Sequence, residues 1–239
     1  MSVIFVVLTI ILFIGTETLL QYLRRRKLVK VSSSVKRQVS SAPVIPDFLK
    51  NLVEPEGIFY NPGHTWAFLE MDGTVKIGLD SFFHQIMGKV DRIEVPEVGD
   101  ETYQGSLTII VQKGERKIYV PVPVDGTVEA VNKEALQNPE ILLKDPYNTG
   151  WLLLMKPHNF MESVQTLKFG KEAKKWFARE IHRLRDFLVE HFQSGDVAFQ
   201  TMYDGGIPVF GVSGMLSDDS WESLKQEFFT TGEMVSITR

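Results

Sequence analysis

The chain has 239 residues, 44% of them hydrophobic, with 26 Lys and Arg against 30 Asp and Glu and no cysteine. That length admits one or two domains, and the missing cysteine excludes disulfides, thiol nucleophiles and cysteine ligation of zinc or iron–sulfur clusters. A formal net charge of −4, with no basic stripe interleaved with aromatics, argues against nucleic-acid binding.

From Val3 to Leu23 the sequence is nearly continuous Val, Ile, Leu and Phe. As a helix this run is long enough to cross a hydrocarbon core of about 30 Å. A cleaved signal peptide would carry its charge before the apolar run and small residues after it. Here Arg24-Arg25-Arg26-Lys27 follow, with Lys30 behind them. The segment 1–23 therefore reads as a transmembrane anchor. The bias of Lys and Arg toward the cytoplasm makes a single-pass membrane protein with its N-terminus outside and its soluble domains in the cytoplasm. Glu17 lies close enough to the inner interface to snorkel, although an intramembrane carboxylate can also mark a helix partner. Gly15 has Leu19 four places on, so the small-residue pairing motif of helix dimers is unsupported.

Residues 24–50 read as a basic, flexible linker. Ser32-Ser33-Ser34 and Ser40-Ser41-Ala42-Pro43 show no apolar period and do not predict a packed element.

Residues 51–160 read as one β domain. Apolar or alternating runs at 66–70, 74–79, 89–95, 106–112, 117–122, 126–131 and 151–156 are separated by Gly, Pro and Asp turns, which predicts a compact, mainly β sandwich. Ile109-Ile110-Val111 and Ile118-Tyr119-Val120 flank Lys113-Gly114-Glu115-Arg116, so this stretch predicts a hairpin whose turn exploits Gly114.

The motifs of this region run Gly57-Ile58-Phe59-Tyr60, His64-Thr65-Trp66, Asp72-Gly73-Thr74-Val75, and Val95-Pro96-Glu97-Val98-Gly99-Asp100. They continue with Pro123-Val124-Asp125-Gly126-Thr127-Val128, Asn138-Pro139-Glu140, Asp145-Pro146-Tyr147 and Gly150-Trp151-Leu152. In this order they resemble the glycine cleavage system H-protein family, the small carriers that bear a lipoyl group. The resemblance implies a barrel-sandwich hybrid of the lipoyl-domain type, with a short helix over Leu79–Gly88 and a helical turn over Asn138–Leu143.

Aligned without a gap between Glu97 and Gly126, the family's Glu-Ser-Val-Lys-Ala segment falls on Gln112-Lys113-Gly114-Glu115-Arg116. The carrier lysine is then replaced by Glu115. A lipoyl arm is joined through an amide to a primary amine, which a carboxylate cannot provide, so this reading expects no cofactor. Lys113 and Lys117 flank the tip as alternative lipoylation sites, although lysines at a solvated tip also serve solubility. Thr65 stands where the family has Glu. His64 is read as a packing and capping residue, and Trp66 and Trp151 as core.

Residues 161–239 predict a C-terminal α+β extension. Ala173, Trp176, Phe177, Ile181, Leu184, Leu188 and Phe192 recur at helical spacing, with Lys174, Lys175, Arg179, Arg183 and Arg185 largely elsewhere. The stripe of this amphipathic helix is broad and aromatic, which favours packing on the β domain over lying on a membrane surface. Gly195 would end it. Asp204-Gly205-Gly206 reads as a turn, and Ser217 or Asp218 would cap a final helix over Trp221–Phe229. No calcium loop or phosphate loop is present, and His182 and His191 are not spaced as metal ligands on one helix face.

No nucleophile–base pair, carboxylate pair or nucleotide loop suggests an enzyme. The favoured expectation is a membrane-anchored H-protein-like module acting as a docking or scaffold protein for an unidentified protein partner. The alternative is a lipoyl carrier modified at Lys113 or Lys117. By the resemblance it would shuttle an aminomethyl group or electrons among a decarboxylase, a tetrahydrofolate-dependent transferase and a dihydrolipoyl dehydrogenase.

Overall fold

The computed structural model describes residues 55–191 and 210–229. By its contacts the chain divides into Met1–Ile45 and Pro46–Arg239, and every described residue belongs to the second unit. The expected anchor over 1–23, the linker over 24–50, the stop at Gly195 and the turn at Asp204–Gly206 lie outside the described residues. Among the described residues no helix is long and apolar enough to cross a membrane.

Among the described residues ten strands form two antiparallel sheets. They are β1 (Phe59–Tyr60), β2 (Thr65–Leu69), β3 (Val75–Leu79), β4 (Arg92–Glu94), β5 (Glu101–Thr102), β6 (Ile109–Lys113), β7 (Arg116–Val120), β8 (Gly126–Val131), β9 (Trp151–Pro157) and β10 (Lys168–Phe169). The larger sheet has the order β10-β1-β2-β3-β9-β8-β5 and the smaller the order β4-β6-β7. The predicted mainly β architecture is thus present, with β4 and β6 starting later than the apolar runs suggest.

Alternation sets which side chains enter the core. Val75, Ile77 and Leu79 of β3, Val111 of β6 and Ile118 and Val120 of β7 are buried, while Lys117 and Tyr119 between them face out. Trp66 on β2 stands opposite Gly78 on β3. A Cβ at Gly78 would lie 2.6 Å from the indole, so only glycine lets Trp66 lie flat across β3, where its Nε1 donates to the Leu79 carbonyl at 3.1 Å. Trp66 is core as expected. Trp151, the first residue of β9, is only partly buried and packs against the core.

Helix α1 (Ser81–Met87) begins at Asp80, whose side chain accepts from the Phe83 amide at 2.8 Å. The expected turn near Asn138 is resolved as α2 (Lys133–Gln137), capped by Asn132, and α3 (Glu140–Lys144). After α4 (Phe160–Ser163) the chain pairs β10 with β1 and enters α5 (Gly170–His191).

The apolar stripe of α5 packs on the β domain, as its breadth suggests. Trp176 lies 5.1 Å from the His64 ring, and Phe177 lies edge-on to Tyr60 at 4.9 Å. Phe187 and Glu180 are also buried, a pair the spacing argument omits. Glu180 tolerates burial because both its oxygens accept from Arg183 Nη1 at 2.8 Å. Of the C-terminal remainder, α6 (Asp218–Leu224) starts from Ser217, whose Oγ accepts from the Ser220 amide at 3.2 Å, and runs into a π-helical turn over Lys225–Phe229. Trp221, Leu224, Phe228 and Phe229 are buried.

Candidate functional site

The β6–β7 hairpin has Lys113 opposite Arg116, which leaves Gly114 and Glu115 as a two-residue tip. Gly114 has φ 57°, as such tight turns require. The tip amide of Gly114 donates to Asp91 Oδ2 at 2.7 Å, and Gln112 Nε2 donates to the Gly114 carbonyl at 2.9 Å. Gln112 therefore braces the turn. Glu115, the residue that the sequence reading aligns with the family's carrier lysine, is exposed at the tip.

The two flanking lysines are placed differently. Lys113 Nζ turns inward and donates to the Met87 carbonyl at the end of α1. Burial lowers its ammonium from the ordinary lysine value, with Asp91 acting in the opposite direction. Lys117 is exposed on β7 opposite Gln112.

The sequence gives no hint that the C-terminal segment returns to this hairpin. Arg116 donates to the carbonyls of Ser213 and Leu216, the latter at 2.7 Å, and to Asp218 Oδ1 at 3.1 Å. Its guanidinium also lies 5.2 Å from the Trp221 ring centroid. A planar fork with five donors suits this convergence of carbonyls, where a lysine would supply a point charge. Beside it, the Gly211 amide donates to the Gln85 carbonyl at 3.0 Å. Gly88 and Gly211 approach so closely that a Cβ on Gly88 would fall 2.7 Å from the Gly211 Cα. A pocket of about 280 Å³ remains between hairpin and segment, lined by Met87, Lys113, Glu115, Arg116, Ser213 and Trp221. An arginine one residue past a hairpin tip reads in sequence as a solvated charge, so no local pattern could have announced this clamp.

A larger pocket, of about 560 Å³, lies elsewhere, between Ile58, Phe68, Lys76, Ser81 and Tyr147. Within it Tyr147 Oη accepts from the Ser81 amide and donates to Ser81 Oγ, both at 3.0 Å, and Lys76 pairs with Glu70. Burial, reinforced by the charge of Asp80, pushes the Tyr147 phenol upward.

His64 is structural, as the sequence suggests. It has φ 65°, is fully buried, and its Nδ1 lies 2.9 Å from Asp80 Oδ2. Phe82 and Trp176 stack on its two sides and Phe229 meets it edge-on. This aromatic enclosure leaves His64 no solvent-exposed surface. Thr65 is buried with its Oγ1 donating to the Pro121 carbonyl at 2.8 Å, so a longer acidic side chain has no room there. No group of three or more His, Asp or Glu side chains among the described residues could hold a metal ion. His182 and His191 come no closer to forming one, since His191 stacks on Phe187.

Comparison with known proteins identifies the family of this β domain. The family model described as "Glycine cleavage H-protein" matches residues 58–180, just over half of the chain and reaching into α5. A probable glycine cleavage system H protein from Pyrococcus abyssi is 35% identical over 112 residues, covering 47% of this chain and 83% of that protein. The glycine cleavage system H protein of Psychrobacter cryohalolentis is 33% identical over 108 residues, covering 45% and 86%. The crystal structure of a glycine cleavage system H protein from Mycobacterium marinum aligns with TM-score 0.45 and 23% identity over 53% of this chain and 98% of that one. These relatives are matched over most of their length by about half of this chain, which carries further residues on both sides. The chain belongs to the glycine cleavage H-protein family.

Proposed function

We propose that this protein is a membrane-anchored H-protein-like module that bears no lipoyl group and serves as a docking or scaffold protein. The carrying observation is the clamp at the hairpin tip. A carrier arm has to leave the surface and reach other proteins, whereas Arg116 ties this hairpin to Ser213, Leu216 and Asp218. The tip itself presents Glu115, a carboxylate that forms no amide with lipoate. Like the carriers it resembles, the module needs no catalytic constellation of its own; it offers a surface to a protein partner.

The apolar stretch from Val3 to Leu23 and the basic cluster behind it support single-pass anchoring with the module on the cytoplasmic side. Resistance of the full chain to alkaline carbonate extraction, with residues 55–229 cleaved by protease only after the cytoplasmic face is opened, tests this placement.

The intact mass of the protein extracted from lipoate-replete cells, with peptide mapping across residues 105–125, tests the absence of the arm. The expected mass is unmodified, and a lipoyl increment overturns the docking reading. A carrier modified at Lys117 is the second reading, and one observation favours Lys117 over Lys113: the Lys117 amine is exposed, while that of Lys113 is engaged by the Met87 carbonyl.

A further inference from the structure

We infer that the exposed face of α5 bearing Lys171, Lys174, Lys175 and Arg179 rests on the anionic headgroups of the membrane. The inference builds on the membrane-anchored reading above and adds an orientation to it.

Three observations converge on this face. First, all four side chains are exposed, and at about 100° per residue Lys171, Lys175 and Arg179 follow one another on successive turns, with Lys174 beside them. Second, these four have no hydrogen-bond or ion-pair partner among the described residues, whereas the other two arginines of the helix are occupied. Arg183 is held by Glu180 and the Glu227 carbonyl, and Arg185 by Asp186. Third, the surrounding chain is acidic: residues 51–239 contain 18 Lys and Arg against 28 Asp and Glu. With exposed Glu172 beside the four basic residues the face keeps a net charge of +3 (four positive, one negative), and a positive face on an otherwise negative body turns that side toward an anionic surface.

The buried side of α5 fixes the mode of contact. Trp176, Phe177, Leu184 and Leu188 are committed to the core, so the helix cannot roll its apolar stripe into lipid as a free amphipathic helix does. What it offers is charge alone, felt within a Debye length of about 8 Å at physiological ionic strength. A lipid surface fits better than an acidic protein because the same chain carries the apolar run 3–23 and Arg24–Lys27. These would hold the module beside a bilayer whose cytoplasmic leaflet is negative.

The test uses the full chain reconstituted into vesicles of phosphatidylcholine alone or of phosphatidylcholine with phosphatidylserine, footprinted with an amine-acylating reagent and read by mass spectrometry. Acylation of Lys171, Lys174 and Lys175 is expected to fall about threefold or more in the anionic vesicles, given that each basic residue near such a surface contributes roughly a fivefold preference. Lys133 and Lys144, exposed on other elements, should be unchanged. Protection should vanish in about 0.5 M salt, where the screening length is roughly 4 Å. Lys168, three residues before Lys171 and half-buried, should share the protection in the parent chain, and in the variant K171E/K174E/K175E, which should fold normally by circular dichroism, its labelling should become equal in the two kinds of vesicle.

Equal labelling in both vesicles overturns the inference, as does equal protection in both. Protection that appears only on addition of an acidic protein overturns it in favour of a protein partner. Carbonate-resistant chain without the footprint keeps the anchor and removes the face; a footprint on carbonate-extractable chain keeps the face and removes the anchor.

Discussion

Arg116 donates to the carbonyl oxygen of Leu216 across a separation of 100 residues, and this bond, with its companions to Ser213 and Asp218, joins the hairpin tip to the segment 213–218. Replacing Arg116 with Ala strips partners from buried or half-buried carbonyls, so a loss of about 2–3 kcal/mol is expected from charge-assisted bonds of this kind. Arg116→Lys should recover less than half, for want of the fork. Hydrogen exchange should accelerate over 210–229 more than over β2 and β3; uniform acceleration would instead mean that Arg116 supports the whole core.

The close approach at Gly88 predicts a second route to the same loosening. Gly88→Ala meets the Gly211 backbone and must also hold φ 65°, so a cost of roughly 2 kcal/mol or more is expected. Gly73, also at positive φ but with open space around it, should cost less on the same substitution. Thermal unfolding of the two variants side by side decides the matter.

At Thr65 the family's acidic residue should not be tolerated. The site is fully buried and its only provided partner is the Pro121 carbonyl, an acceptor. Thr65→Glu is expected to destabilise by roughly 3 kcal/mol or more, whereas Thr65→Val should cost about 1–2 kcal/mol for the lost bond. A neutral Thr65→Glu in denaturant titration would mean the backbone around β2 yields more readily than its packing suggests.

Acid should weaken the fold through His84. Burial pushes its imidazole down from 6.5 to about 4, so between those values the unfolded chain binds a proton that the folded chain refuses. The stabilisation is therefore complete above about pH 6.5 and is lost as pH falls toward 4, by about 3 kcal/mol in all. Urea midpoints measured across this range should slope downward in the parent and flatten in His84→Leu.

Much of this was legible in the residues because the β domain announces itself locally. The alternation in Val75–Leu79 and Ile109–Val120, the Gly114 turn and the order of the Pro-Glu-Val-Gly and Asp-Pro-Tyr motifs each follow from short-range chemistry. The stripe of α5 was equally readable, but not the burial of Glu180, which depends on Arg183 and on a π-helical turn over forty residues away. The clamp at Arg116 was invisible for the same reason: two of its three hydrogen-bond partners are carbonyl oxygens, which carry no sequence identity, and all lie about a hundred residues away. Trp151, read as core, packs against the core but stays partly exposed, a distinction that residue type alone does not carry.

The two strands that bound the larger sheet, β5 and β10, are two residues long. A strand that short presents too few free amides and carbonyls to template another chain. At the open side of the smaller sheet, β7 is met by the turn over Lys225–Phe229. Among the described residues these edges therefore offer a neighbouring copy little backbone to pair with.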